Sequence, residues 1–307
     1  MPSERDATRC QWTSQADALA AFTGCTGLTQ SAGHIRPLHW YVACRLVVEG
    51  GFDPASITPR PPFRISSPTR KGDAPTLHFD PDAAGSGEQT VLGGLKTKKV
   101  DVVATQPSMG PVLAVSCKGI TGAFRNLTNR LEETIGECTN LHITYPALVL
   151  GYVVVLRANR IAGLTREQVE SASDAEVGGL KTNDVAIAGD GQVVQSIVRF
   201  HNALSEMLGR RGIRNDLSRY ESIGLGLASM SPAERGLLVS IYPDTASALR
   251  FDTFFRTLYG QYDERFVARA PDLAAVTRRH AWSPASPGLR LMNLDYDART
   301  SIGTLTD

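Results

Sequence analysis

The segment 100–156 constrains the fold of this chain more than any other part of it. Residues 100–105 and 111–117 are two short apolar runs, and a turn that contains proline and glycine separates them, which predicts two strands joined by a hairpin loop. Apolar residues recur at helical spacing over 121–139, and 147–156 is a continuous apolar run typical of a buried strand. The order strand, strand, helix, strand predicts an α/β fold.

Further elements are expected on both sides of this segment. Prolines are frequent over 53–81, which favours extended segments and loops there. The apolar stripe of the central helix is predicted to consist of Leu127, Leu131, Ile135 and Cys138. The other predicted elements are helices over 15–23, 37–48, 193–208 and 251–262, and strands over 220–227 and 237–242.

A chain of 307 residues can bury one large hydrophobic core or two smaller ones. Its 42% hydrophobic and 21% charged residues are typical of a globular protein. We expect a single domain over 1–283, with N-terminal helices in 1–52, a central part with the candidate catalytic residues at about 76–160, and the rest of the domain in 161–283. Residues 284–307 contain proline and glycine and few long apolar runs, so we expect a C-terminal surface arm.

Composition excludes several classes of protein. No stretch approaches the roughly 18 consecutive apolar residues of a membrane-spanning helix, so no membrane partner is expected. The polar N-terminus lacks the apolar region of a secretory signal. Five cysteines, an odd number without paired short spacings, favour reduced thiols in a cytoplasmic protein. The net charge of +1 shows no overall basic character, although a local basic groove would still allow nucleic-acid binding.

Four polar residues follow one another in the order strand, strand, helix. Asp101 lies within the first strand, Ser116 and Lys118 end the second, and Glu132 lies in the helix. Because side chains alternate across a strand, Ser116 and Lys118 share one face while their apolar neighbours point to the other. The polar pair is therefore expected to face a cleft.

These residue types suit the hydrolysis of a phosphodiester bond. Carboxylates can hold Mg²⁺, which acidifies the attacking water and stabilises the charge that develops on the phosphate. A lysine can position that water or stabilise the phosphate. Asp101, Lys118 and a second carboxylate would meet this need.

The segment 101–132 resembles the PD-(D/E)xK nucleases, whose signature is an aspartate and then a strand that ends in a carboxylate, one spacer and a lysine. Here Val100 stands in place of the proline and Ser116 in place of the second carboxylate. One branch of the type II restriction endonucleases, which includes enzymes that cut sites with a CCGG core, uses Ser-x-Lys and takes the missing acid from the following helix. Ser116, Lys118 and Glu132 are similar to that pattern in type and spacing.

The resemblance implies a restriction-endonuclease-like core, with a mixed central β-sheet flanked by helices. It implies a Mg²⁺-dependent endonuclease that cuts double-stranded DNA at a specific site, and a homodimer if the site is palindromic. By this resemblance Asp101 and Glu132 would bind the metal, Lys118 would act on water and phosphate, and Ser116 would donate a hydrogen bond behind them.

Three residues near the start of the central helix are candidates for DNA contacts. Arg125, Asn126 and Asn129 lie in the first turns after the second strand. Arginine favours guanine and asparagine favours adenine in the major groove, and both also bind phosphates.

Several alternatives remain open at this stage. Each of these residues alone could be structural, with Glu132 paired to a neighbour on a solvated helix face. Glu49 and Glu88 are further acids that could approach a metal, whereas Pro81 favours a turn over a metal site in the sequence HFDPD. The rival functions are a repair or modification-dependent DNA nuclease, and a catalytically silent DNA-binding module on the same fold.

Overall fold

A five-stranded mixed β-sheet, flanked by helices, forms the centre of the α/β structure that the described residues adopt. The structure is a computed structural model and describes residues 8–26, 32–68, 70, 72–172, 176–214 and 216–301. The strands are β1 (Ile57–Thr58), β2 (Phe63–Ser66), β3 (Thr76–Phe79), β4 (Gln89–Val91), β5 (Lys98–Val100), β6 (Val102–Gln106), β7 (Gly110–Ile120), β8 (Val149–Ala158), β9 (Glu176–Val177), β10 (Leu180–Lys181) and β11 (Ser222–Ser229). The helices are α1 (Gln15–Gly24), α2 (Arg36–Val48), α3 (Leu127–Thr144), α4 (Arg166–Ser171), α5 (Gln195–Glu206), α6 (Phe251–Asp263), α7 (Ala274–Thr277) and α8 (Pro287–Arg290).

The central sheet has the strand order β1-β6-β7-β8-β11. β6 and β7 form the expected antiparallel hairpin, whereas β7, β8 and β11 are parallel to one another. Helix α3 connects β7 to β8, as a parallel pair requires a long crossover. The predicted α/β class, with a mixed central sheet flanked by helices, is thereby confirmed.

Each face of the sheet packs against its own set of helices. Side chains of α1, α2 and α6 join one hydrophobic cluster, and those of α3 and α5 join the other. Along β7, Val115 and Cys117 belong to the first cluster and Ala114 to the second, so alternate residues face opposite sides. Ser116 and Lys118 therefore share the face that carries α3, as the alternation predicts.

Several predicted elements need correction. The first strand of the hairpin is interrupted at Asp101, which separates β5 from β6. The helix predicted over 121–139 begins later, at Leu127, and continues to Thr144, and Ile135 of its predicted apolar stripe is exposed. The stretch 237–242 does not form a strand, and its contact with the sheet is an isolated bridge between Leu238 and Ala228 of β11.

The predicted C-terminal arm packs against the rest of the protein over 284–301, and residues 302–307 lie outside the described residues. The Ser286 hydroxyl accepts a hydrogen bond from the Leu77 amide, and the Arg299 amide donates to the carbonyl of Val48. Neighbouring Trp282 is fully buried, and its indole donates to the carbonyl of Val47. These contacts tie the segment to the domain, while most of its residues remain half-buried or exposed at the surface.

No helix in the described ranges combines the length and the apolar character needed to cross a lipid bilayer. Cys10, Cys25, Cys44, Cys117 and Cys138 are all free thiols.

Candidate active site

The register of the β6–β7 hairpin brings the first two candidate residues together. Val102 pairs with Val115, so one step further along both strands Asp101 comes level with Ser116. The carboxylate of Asp101 accepts a hydrogen bond from the amide of Cys117 at 2.7 Å. This bond fixes the acid at the point where β5 and β6 separate.

Lys118 reaches the same carboxylate. Its Nζ lies 3.7 Å from Asp101 Oδ2, and the lysine side chain is one-third exposed. Burial alone would lower the pKa of Lys118, but the negative charges of Asp101 and Glu137 outweigh it and hold the pKa above its ordinary value. Lys118 is therefore an ammonium, which donates hydrogen bonds and cannot act as a base.

Asp101 belongs to a group of three side chains that could bind a metal ion. One ligand atom each from His39, Glu88 and Asp101 lies within 4.8 Å of the other two. His39 belongs to α2, is 4% exposed, and has its Nε2 at 3.8 Å from Asp101 Oδ1. Nε2 of His39 is buried and makes no hydrogen bond with the described residues. A buried imidazole nitrogen that makes no hydrogen bond is suited to ligate a cation.

Burial also governs the charge of this imidazole. It lowers the pKa of His39, and the carboxylates of Asp101 and Glu88 offset only part of that effect. The neutral ring is the form that can donate a lone pair to a metal.

These side chains line one open groove of about 600 Å³, which we call the Asp101 groove. It lies at the end of β7 and is bordered by α2, α3 and the loop before β4. Its titratable lining residues are His34, His39, Glu88, Asp101, Cys117, Lys118, Arg130, Glu133, Tyr152, Arg157 and Asp184. Burial raises the pKa of Tyr152 to about 12, so this phenol is a neutral part of the wall.

The loop between β7 and α3 is held close to the groove. A side chain on Gly119, near the end of β7, would collide with Phe22 and Ile35, and one on Gly122, in the loop itself, would collide with Asp184. The Asp184 carboxylate accepts a hydrogen bond at 2.6 Å from the amide of Ala123, whose φ of +56° is unusual for a residue with a side chain. The loop is thus fixed by contacts of its backbone.

Ser116 is hydrogen-bonded to an acid that the sequence did not single out. The fully buried hydroxyl of Ser116 donates to Oε1 of Glu137 in α3. The other oxygen of Glu137 lies 2.9 Å from Nζ of Lys98, at the start of β5. Glu137 therefore lies beside the strand position where the nuclease signature has its second carboxylate.

The structure corrects the expectation for Glu132. This residue is exposed, is not among the lining residues of the Asp101 groove, and does not belong to the possible metal group. Its neighbour Glu133 lines the groove and pairs with Arg130 at 3.3 Å. Successive helix residues point about 100° apart, so Glu132 and Glu133 face different directions.

Arg125 has an intramolecular role. Its guanidinium donates to the carbonyl of Ala172 at 3.0 Å, at the end of α4, and it lines a separate cavity. Asn126 and Asn129 are exposed at the start of α3. The two asparagines are thus accessible to a ligand, whereas the guanidinium of Arg125 is hydrogen-bonded within the protein.

The sequence did not point to His39, because its place in the fold hides it. His39 belongs to a helix in which every residue from Leu38 to Val48 is buried, so its burial cannot be read from an apolar stripe. Glu88 was weighed only as a minor alternative and proves to reach the groove, whereas Glu49 pairs with Arg45. A histidine inside an apolar helix was the one signal available, because a buried imidazole needs a polar partner.

Comparisons with models of protein families, with curated proteins and with solved structures found no match.

Proposed function

We propose that this protein is a Mg²⁺-dependent endonuclease of the type II restriction class, with a restriction-endonuclease-like core, that hydrolyses double-stranded DNA at a specific site. The observation that carries the proposal is the pairing of Asp101 with Lys118 at 3.7 Å, at the edge of an open groove. A carboxylate and a protonated amine beside a possible metal group are the parts that phosphodiester hydrolysis needs.

The side chains of the groove fit a divalent cation. Asp101 and Glu88 supply carboxylate oxygens, and His39 supplies a buried nitrogen without a hydrogen-bond partner in the described part of the chain. These three residues would hold the ion, and Glu132 is no longer needed as a ligand. When bound, the ion would acidify a water molecule and stabilise negative charge on the phosphate.

The residues of the chain would do the rest of the chemistry. Lys118, kept protonated by Asp101 and Glu137, would donate to a non-bridging phosphate oxygen and hold the attacking water in place. The Cys117 amide would keep the Asp101 carboxylate oriented. Ser116 and Glu137 would position the end of β7 from behind, because they are buried and bonded to each other.

DNA recognition is assigned to the start of α3 and to the loops around the groove. Asn126 and Asn129 remain the candidates for base or phosphate contacts, since the guanidinium of Arg125 is used within the protein. A palindromic site would be matched by a two-fold protein, so we propose a homodimer. The mass of the DNA complex in solution tests this, and one protomer per site would contradict it.

Lys118→Ala provides the test of the catalytic assignment. The wild type and the variant are incubated with mixed-sequence DNA and Mg²⁺, and binding and cleavage are measured separately. We expect Lys118→Ala to bind DNA but not to cleave it, because the substitution removes the lysine ammonium group that acts on the phosphate. The matched control is Lys99→Ala, which removes an exposed lysine of strand β5 and should cut normally.

The possible outcomes separate the rival functions. Full cleavage by a folded Lys118→Ala variant would remove Lys118 from the mechanism. Binding without cleavage by the wild type, with any divalent cation, would favour the silent DNA-binding module. Cleavage restricted to methylated or to damaged DNA would favour a modification-dependent or repair nuclease.

A further inference from the structure

The metal group of the Asp101 groove contains one nitrogen among its ligands. His39 Nε2 lies with the carboxylates of Glu88 and Asp101 within 4.8 Å, and it is buried without a hydrogen-bond partner among the residues that the structure describes. The ring is carried by α2, a helix whose neighbouring residues are buried, so its position is set by packing. The nitrogen is thus held toward the two acids before any ion arrives.

A nitrogen ligand changes which ion the site prefers. Mg²⁺ is a hard cation that takes oxygen ligands and keeps several water molecules. First-row transition ions accept imidazole, and their affinity for a mixed site rises from Mn²⁺ onward. Mn²⁺ shares the preference of Mg²⁺ for carboxylates. A comparison of these two ions in the wild type and in a variant without the imidazole therefore reports the effect of that ligand.

We propose that His39 makes the Asp101 groove selective for Mn²⁺ over Mg²⁺, by supplying a nitrogen ligand next to Glu88 and Asp101. This inference rests on the proposed metal-dependent function but concerns the identity of the ion. Both ions would support binding through the carboxylates, whereas only Mn²⁺ would gain substantially from the imidazole. Low concentrations of Mn²⁺ would then occupy the site in the presence of excess Mg²⁺.

Electron paramagnetic resonance of Mn²⁺ tests the inference without any activity measurement. The loss of the free Mn²⁺ signal on binding gives the affinity of the protein for Mn²⁺, and displacement of Mn²⁺ by added Mg²⁺ gives its affinity for Mg²⁺. Modulation of the spin-echo signal reports an imidazole nitrogen bound directly to Mn²⁺. We expect Mn²⁺ to bind at least about tenfold more tightly than Mg²⁺, with a nitrogen coupling in the spin-echo signal. His39→Gln should remove that coupling and weaken Mn²⁺ binding by about tenfold or more, with a smaller effect on Mg²⁺.

His34→Gln is the matched control, because His34 lines the same groove but does not belong to the metal group. It should retain the nitrogen coupling and the preference for Mn²⁺. The wild-type spectrum decides the matter even if His39→Gln fails to fold. Bound Mn²⁺ without nitrogen coupling, equal affinities for the two ions, or no Mn²⁺ binding would each overturn the inference. If one of these results overturns the inference and the protein still cuts DNA in Mg²⁺, the proposed function remains intact. If Mn²⁺ binds with nitrogen coupling and the protein never cuts DNA, the proposed function is refuted and the inference about the metal stands.

Discussion

Glu137 is the residue whose replacement tests the local structure behind β7. Its side chain is 3% exposed, accepts a hydrogen bond from the fully buried Ser116 hydroxyl, and lies 2.9 Å from Lys98 Nζ. In Glu137→Ala the Ser116 hydroxyl loses its acceptor, which costs about 1–3 kcal/mol. The Lys98 side chain is 23% exposed and can be hydrated, so breaking its ion pair costs less than the roughly 3–5 kcal/mol of a fully buried pair.

We therefore expect Glu137→Ala to lower the free energy of unfolding by about 2–4 kcal/mol. Urea denaturation followed by circular dichroism measures this quantity. The free energy of unfolding of Glu137→Gln should lie between those of the wild type and Glu137→Ala, because the amide oxygen still accepts a hydrogen bond from Ser116. Exposed Glu132 serves as the control, and Glu132→Ala should change stability by about 0.5 kcal/mol at most. Equal stability of Glu137→Ala and Glu132→Ala would refute the reasoning.

Three further changes have defined outcomes. Asp101→Asn keeps the shape of the side chain but removes its charge, so cleavage should be lost at low Mg²⁺ concentration; unchanged rates would contradict the metal assignment. Arg125→Ala should lower the free energy of unfolding by about 0.5–1.5 kcal/mol through the lost bond to Ala172, and a change in DNA sequence preference at unchanged stability would contradict this. Burial would raise the pKa of Glu221, but His142 and Arg265 hold it below its ordinary value of 4.5. The stability that Glu221 contributes is therefore complete above pH 4.5 and is lost as the pH falls through the lowered pKa. Glu221→Gln should flatten the acid dependence of unfolding measured in urea, and an unchanged slope would count against it.

The sequence carried much of the information about the strands. Alternation along β7 correctly predicted that Ser116 and Lys118 share one face, and the short turn predicted the hairpin that brings Asp101 to them. Both features are local, because a strand has a period of two and a hairpin fixes its own register. The central segment therefore revealed the α/β class and half of the candidate site.

The position of the acid on α3 could not be predicted in the same way. The direction in which each side chain of α3 points depends on where the helix begins. A turn of 3₁₀-helix over Phe124–Asn126 precedes the start of α3 at Leu127. The acids at 132, 133 and 137 are equally polar in sequence, and only packing against β7 selects Glu137 for Ser116. His39 was missed for a related reason, because its approach to Asp101 is a tertiary contact between α2 and the β5–β6 junction.

We propose that the pairing of Asp101 and Lys118 in the groove performs metal-dependent hydrolysis of DNA. The most direct measurement is incubation of the purified wild-type protein with mixed-sequence DNA, in Mg²⁺ and in chelator, followed by mapping of the ends. We expect discrete ends at one recurring sequence in Mg²⁺, none in chelator, and none from Lys118→Ala in either condition. Intact DNA in Mg²⁺, or the same ends from Lys118→Ala, would contradict this expectation.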